Sequence, residues 1–239
     1  MERVVITLDQ HKKLESGDLL GTAVDITAIK NREESNFWLT RELMHRIRNL
    51  LTVLQSMARH SSKEVYTSEV FVERFIDRLH GLSKVHDLLI TTSYVSVDMT
   101  DLIQSQIAEL PAATRSRFQL SGGKFSLNPD AAQAFGLAFH ELVDNACRHG
   151  SIRSQNGKVD ISWGRSQGKV DLLKLQWIET GSTPIQMSPD GFGMFLIKRN
   201  LPRLMNGEIR VSYLENRFEC MMEFPVERIV ASSVTQIDV

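Results

Sequence analysis

The chain has 239 residues, a formal net charge of −1 and 42% hydrophobic residues, the make-up of a globular chain with one large domain or two small ones. That balance excludes a broadly basic nucleic-acid binder, and no apolar run approaches the ~18 residues of a membrane span. The opening MERVVITLDQHKK lacks the apolar centre of a secretory leader, while two cysteines without metal-ligand spacing, Cys147 and Cys220, exclude a disulfide scaffold and fit a reducing cytoplasm.

Residues 1–28 read as short strands, VVITL and LLGTAVDIT, around the turn ESGD. Two strands cannot bury a core alone, so they are a fragment of something larger or an appendage. Leu43, Ile47, Leu50, Leu54 and Met57 then recur at helical spacing on a helix from about Glu33 to His60, roughly 40 Å long at ~1.5 Å per residue. After the polar break Ser61–Tyr66, a second stripe follows: Val72, Ile76, Leu79, Leu82, His86 and Leu89. Two such helices predict an antiparallel hairpin, and apolar faces wider than one seam predict its pairing into a four-helix bundle. His86, on the apolar stripe, reads as a packed core histidine.

Further on, the pattern predicts a short helix over Asp98–Leu110, stopped at Pro111, and a strand over Arg117–Leu120. Asn128-Pro129-Asp130 is a helix start, with Asn as cap and Pro in the first turn. Gly150 stands where a left-handed cap would end that helix. Strands at Lys158–Trp163 and Leu172–Ile178 precede a turn-rich stretch, a Gly-x-Gly at 191–193 and a helix ending at Asn206-Gly207. Strands at Glu208–Leu214 and Glu219–Phe224 close the region. The predicted class is α+β, a helical hairpin followed by a two-layer α/β sandwich.

The chemistry-bearing residues fall into four groups. On the first helix, Glu42, His45, Asn49, Thr52 and Ser56 lie opposite the apolar stripe. An exposed imidazole there can act as a nucleophile, with the Asn49 amide one turn on. In HELVDNACRHG, Glu141 and Asn145 share a helix face that Arg148 and His149 continue. A carboxylate, an amide oxygen and a cation in a row suit a Mg²⁺–triphosphate. In WIETG, Glu179 ends a strand and Gly181 lets backbone approach a flat base. Trp177 shares the face of Glu179 and either fills the core or packs beneath the base. Glycines 191 and 193 open a helix whose N–H groups can face an anion. Their order along the chain points to a nucleotide pocket.

Residues 33–226 resemble the catalytic region of a sensor histidine kinase of the HWE type: ELMHRIRN (42–49) its phosphoacceptor box, HELVDNACRHG (140–150) its N-box, WIE (177–179) its Trp-x-Glu signature and GFGMFLIKRNL its final glycine box. GTAVDITAIKNREE (21–34) resembles the last strand and linker of a PAS sensor domain. The resemblance implies four parts: a PAS remnant and linker (1–32), the phosphoacceptor hairpin (33–91), an ATP-binding domain (92–228) and a tail (229–239). It implies that His45 accepts the γ-phosphoryl of ATP and passes it to an Asp of a response regulator. Asn145 would hold Mg²⁺ and Glu141 would assist, Glu179 would read the adenine amine with Gly181 beneath the base, and Gly191 and Gly193 would border the phosphates. The family's basic residues around its last glycine box are replaced here by Ser188-Pro189-Asp190 and Met194-Phe195, which leaves phosphate neutralisation to Arg148, Lys198 or Arg199 beside the metal. The general base is Glu42 or Glu141. A homodimer through the hairpin, an upstream sensor in a longer protein and a cytoplasmic location complete the expectation. Two other readings fit fewer features: a phosphotransfer or phosphatase module with a non-catalytic ATP fold, and a serine kinase of the anti-sigma type, for which the His45 hairpin has no use.

Overall fold

Strand β1 (Val4–Lys13) pairs antiparallel with β2 (Leu19–Asp25), Val4 opposite Asp25 and Leu8 opposite Gly21, with a register shift before Lys13 meets Leu19. This hairpin lies in one of two compact units, Met1–Met57 and Ala58–Val239. The computed structural model describes residues 4–13, 19–25, 55, 68–166, 168, 170–181 and 191–230. The expected helix around His45, with Glu42 and Asn49, the stretch 182–190 and the tail from 231 lie outside the described residues.

The second unit begins with helix α1 (Ser68–Thr91), then strand β3 (Val97–Asp98), α2 (Met99–Ile107), the short α3 (Ala112–Arg115), β4 (Phe118–Gly122), β5 (Ser126–Leu127) and the long α4 (Pro129–Arg148). A 3₁₀ turn at Ser151–Arg153 leads to β6 (Lys158–Ser166) and β7 (Leu172–Thr180). There follow α5 (Phe192–Phe195), a π-helical turn (Leu196–Asn200), α6 (Leu201–Met205), β8 (Glu208–Leu214), β9 (Arg217–Pro225) and α7 (Val226–Ile229). The sheet order is β4-β6-β7-β9-β8. Strand β4 runs parallel to β6, and the other pairings are antiparallel. The class is thus α+β, with helices over one face of a five-stranded sheet.

Period-two alternation builds that covered face. Val159, Ile161 and Trp163 of β6, Leu173, Leu175 and Trp177 of β7, and Phe218, Cys220, Met222 and Phe224 of β9 are buried. Phe135 of α4 meets Phe224 edge-on at 5.0 Å between centroids, and Phe118 of β4 meets Trp177 at 6.2 Å. Aromatic edge-to-face contacts of this kind add to the area term. No described helix is long and apolar enough to cross a membrane.

Three local expectations change. The predicted stripe of α1 is buried only in its second half: Leu82 and Leu89 are buried, joined by Val85 and Arg78, whereas Val72 is 51% and Ile76 43% exposed. The reason is close packing on α4. A Cβ on Gly81 would stand 2.5 Å from the His140 ring, and one on Gly136 would stand 2.3 Å from Val85, so two glycines let the helices approach and fix the rotation of α1. His86 is consequently half-buried rather than packed in the core, with Nδ1 3.3 Å from the Tyr94 hydroxyl. Gly150 has φ −98°, so it is not a left-handed cap; it is needed because the Glu179 carboxylate fills the place of its Cβ. The left-handed cap comes instead at Asn206, φ 53°, where the sequence signal Asn-Gly is met.

The helix after the Gly-x-Gly also contains a π turn that the pattern does not announce. Leu201 N–H donates to Leu196 O, five residues back. Pro202 has no N–H for the carbonyl of Lys198, and its ring would crowd that group, so the turn widens ahead of it.

Candidate active site

Helix α4 carries the first part of the site. Its start is fixed by Asn128, whose Oδ1 accepts from Ala131 N–H at 2.8 Å, with Pro129 in the first turn. Glu141, Asn145 and Arg148 follow at i, i+4 and i+7 and so share one face. Glu141 is 4% exposed. Arg78 of α1 donates from Nε to its Oε1 at 2.7 Å. Gly193 lies against the same carboxylate, close enough that a Cβ would stand 2.4 Å from Oε2. The Gly-x-Gly therefore does meet the acid–amide helix, and through its missing side chain.

One turn on, Asn145 Nδ2 is buried without a hydrogen-bond partner. Arg148 does not stand open for a phosphate: its Nε donates to Asp144 at 2.5 Å and its Nη2 to Asp77 of α1 at 2.9 Å. These hydrogen bonds and charges hold its pKa above the ordinary value. His149 is half-buried, and burial first, then the nearby Arg74 charge, keep its pKa below the ordinary imidazole range. The neighbouring His140 is pushed down to about 4, mainly by burial. Arg74, Asp77, Arg78, His140, Glu141 and Asp144 line a narrow crevice between α1 and α4.

Strand β7 carries the second part. Alternation places Glu179 on the buried face behind Leu175 and Trp177, fully buried. Oε2 accepts from Ser151 N–H and Oε1 from the Trp177 indole, each at 3.0 Å. Burial raises its pKa, and these bonds offset part of the rise. Alternation drives the acid inward with the core residues, and the two donors leave a second lone pair on each of its oxygens. Trp177, also fully buried, has the core role. Gly181 closes the strand with N–H donating to Asn216 O at 3.0 Å, and a Cβ on it would touch Ser151.

The third part is the 191–205 segment. Gly191 O accepts from Phe195 N–H at 3.0 Å. Lys198, exposed on the π turn, lies with Nζ 5.5 Å from the Tyr213 ring centroid. It makes no described contact with α4. The structure thus sets Gly193 against Glu141, on the α4 face that Asn145 and Arg148 continue, and Glu179 with Gly181 around the end of α4. A wider open groove of about 510 Å³, lined by Ile107, Arg115, Phe118 and Leu120 among others, holds none of these residues. Among the described residues no three His, Cys, Asp or Glu converge as a metal cluster. Sequence reasoning missed Asp77 and Arg78. Their signal was a charged pair between Ile76 and Leu79 of the stripe, whose partners on α4 lie more than sixty residues away.

The family profile described as HWE histidine kinase matches residues 42–124. A blue-light-activated histidine kinase of Brucella anthropi is 27% identical over 199 residues, 82% of this chain and 40% of the relative. One of Brucella ovis is 26% identical over 197 residues, with the same shares. The chain spans about 40% of the length of these curated relatives. In fold, it is similar to the Erythrobacter litoralis EL346 blue-light activated histidine kinase, TM-score 0.55 at 13% identity, covering 94% of this chain and 70% of that one.

Proposed function

We infer, from the match of residues 42–124 to the HWE histidine kinase profile and the likeness to blue-light-activated histidine kinases, a protein-histidine kinase of two-component signalling that phosphorylates its own His45 with ATP and passes the group to an Asp of a response regulator. The observation that carries this reading is the contact of Gly193, which opens the next helix, with Glu141 on the helix face that Glu141 shares with Asn145. In the first step the bond between the γ-phosphorus and the bridging oxygen of ADP breaks. A bond from phosphorus to an imidazole nitrogen forms, and the displaced proton goes to Glu42 or Glu141. In the second step that nitrogen–phosphorus bond is exchanged for an acyl phosphate on the regulator's Asp. Such transfers depend on positioning and charge stabilisation more than on covalent help from the protein.

The residues fit a divalent cation held with the nucleotide. Mg²⁺ commonly takes one or two protein oxygens and fills the rest with water and phosphate. The Asn145 amide, buried with Nδ2 unpaired, and the Glu141 carboxylate supply those oxygens. When bound, the metal neutralises phosphate charge. Arg148 and Lys198 then hold phosphate oxygens, Gly181 lies beneath the base, and Gly191 and Gly193 give backbone N–H groups room. Glu179 reads the adenine amine with the lone pairs that Ser151 and Trp177 leave over, since each carboxylate oxygen carries two. His149 closes the rim.

In the same reading, residues 33–91 are the phosphoacceptor hairpin, 92–228 the ATP-binding domain, and 1–32 the end of a PAS domain whose remainder lies in a longer protein. The exposed Val72 and Ile76 on α1 support a homodimer through the hairpin. A cytoplasmic location fits the regulator as partner. The test is incubation with γ-labelled ATP. Acid-labile label in the wild type that is lost in His45→Ala and in Asn145→Ala is the expected result; label retained in His45→Ala overturns the assignment.

A further inference from the structure

The two charged residues of α4 offered to a metal–nucleotide are both engaged by consecutive residues of α1. Arg78 meets Glu141 at 2.7 Å, each side chain only 6% exposed. Asp77 meets Arg148 at 2.9 Å, at 42% and 37% exposure. The pattern is specific in sign. Toward Glu141, α1 presents a cation; toward Arg148, about two turns along α4, it presents a carboxylate. A metal–nucleotide presents the same order, a cation for the carboxylate and phosphate oxygens for the guanidinium. Between the two pairs sits Asn145, whose Nδ2 is buried and unpaired, so α1 fills the outer positions of this face and leaves the middle one unsatisfied.

The clasp also sits at a boundary within α1. C-terminal to it, Leu82, Val85 and Leu89 are buried, and Gly81 lies tight on His140. N-terminal to it, Val72 and Ile76 are exposed. The first half of the helix can therefore leave α4 without uncovering the buried half. We propose, resting on the nucleotide reading above, that Asp77 and Arg78 form an internal mimic of the metal–nucleotide charge pattern that competes with it for Glu141 and Arg148, so that binding requires release of the N-terminal half of α1.

The competition follows from donor capacity. A Glu141 carboxylate neutralised by a buried guanidinium gives little to a hydrated cation, and an Arg148 fork closed on Asp77 and Asp144 has fewer N–H groups for phosphate. Asp77 and Arg78 are thus positioning residues: they set how available Glu141 and Arg148 are and touch no substrate.

The experiment uses the full chain, calorimetry with adenylyl imidodiphosphate and Mg²⁺, and hydrogen exchange of α1. Asp77→Asn keeps its shape at a half-exposed position and is expected to tighten binding about threefold, the scale of one surface ion pair. Arg78→Gln is expected to tighten it further, with a melting curve confirming that it folds; if it does not fold, Asp77→Asn decides alone. In the wild type, nucleotide is expected to speed exchange of amides 70–78 and leave 82–90 protected. Unchanged or weaker affinity in Asp77→Asn, or slower exchange at 70–78, overturns the clasp while leaving the nucleotide site standing. Absence of binding in the wild type and in every variant overturns the nucleotide reading and the clasp with it.

Discussion

The indole of Trp177 donates to Oε1 of Glu179 across two residues of one strand, at 3.0 Å and with both side chains fully buried. The two signature residues are therefore one unit: alternation puts them on the same face, and the tryptophan holds the acid that burial would otherwise leave short of donors. Ser151, just past the end of α4, holds the other oxygen. Strand and helix are tied through this carboxylate.

Trp177→Phe should remove the donor while keeping most of the ring. The stranded Oε1 makes the loss about 2 kcal/mol. Urea denaturation checks it, as a lower midpoint with unchanged slope. A double cycle with Glu179→Gln should show coupling, because both changes act on the one Trp177–Glu179 contact.

Glu179→Gln should change the pH dependence of stability. The folded carboxyl titrates above its ordinary 4.5 because it is buried, so the folded state holds its proton more tightly than the unfolded chain. That contribution is fully present below about pH 4.5 and is lost as pH rises through the folded value. The wild type should therefore lose stability relative to Glu179→Gln from pH 4.5 upward. At pH 4 it should be the more stable by about 1 kcal/mol, since an amide N–H₂ faces a donor where the carboxyl accepted two. Denaturant midpoints at several pH values read this. A difference independent of pH would count against a buried, titrating Glu179.

His140 acts with the opposite sign. Its folded value is pushed down to about 4, so the unfolded chain takes up the proton first. Its stabilising contribution is present above pH 6.5 and is lost as pH falls toward 4, roughly 3 kcal/mol in all. His140→Gln should flatten that limb of the stability curve, with thermal melting between pH 7 and pH 4 as the measurement.

Gly193→Ala should disturb Glu141. The added methyl would stand 2.4 Å from Oε2 and 3.1 Å from Cβ of that residue, so the carboxylate or the α5 start must move, at about 1–3 kcal/mol. Nucleotide affinity should fall with it. Gly123→Ala, where a Cβ meets nothing within 4 Å, is the control that should change neither.

What could be read from the sequence was whatever is local. Asn128-Pro129-Asp130 announces the start of α4 because cap chemistry involves a few neighbouring residues. Asn206-Gly207 announces a left-handed end for the same reason, and Glu208–Leu214 alternates as an edge strand should. The acid–amide spacing of Glu141 and Asn145 was equally legible. Other features depended on distant partners. The rotation of α1 is set by Gly81 meeting His140 and Gly136 meeting Val85, and no window along the chain contains both members of either pair. Gly150 looked like a cap, but its reason is the carboxylate of residue 179. Glu179 was legible as a strand-end acid, but the two N–H groups that hold it come from one residue on its own strand and one past the end of a helix.

The parallel edge of the sheet gives the molecule an order of assembly. β6 with β7 and β8 with β9 are joined by short connections and can zip as hairpins. β4 meets β6 only after a loop of roughly 35 residues, α4 among them, has been closed, and that closure entropy must be met before any ladder bond forms. With one neighbour and no hairpin to nucleate it, β4 carries the largest closure cost of the sheet's pairings. Arg117, which starts it by donating to Ser154 O at 2.7 Å, pins its leading end to the turn that also presents Ser151 to Glu179. Fraying at that edge is thereby coupled to the turn that holds the Glu179 carboxylate.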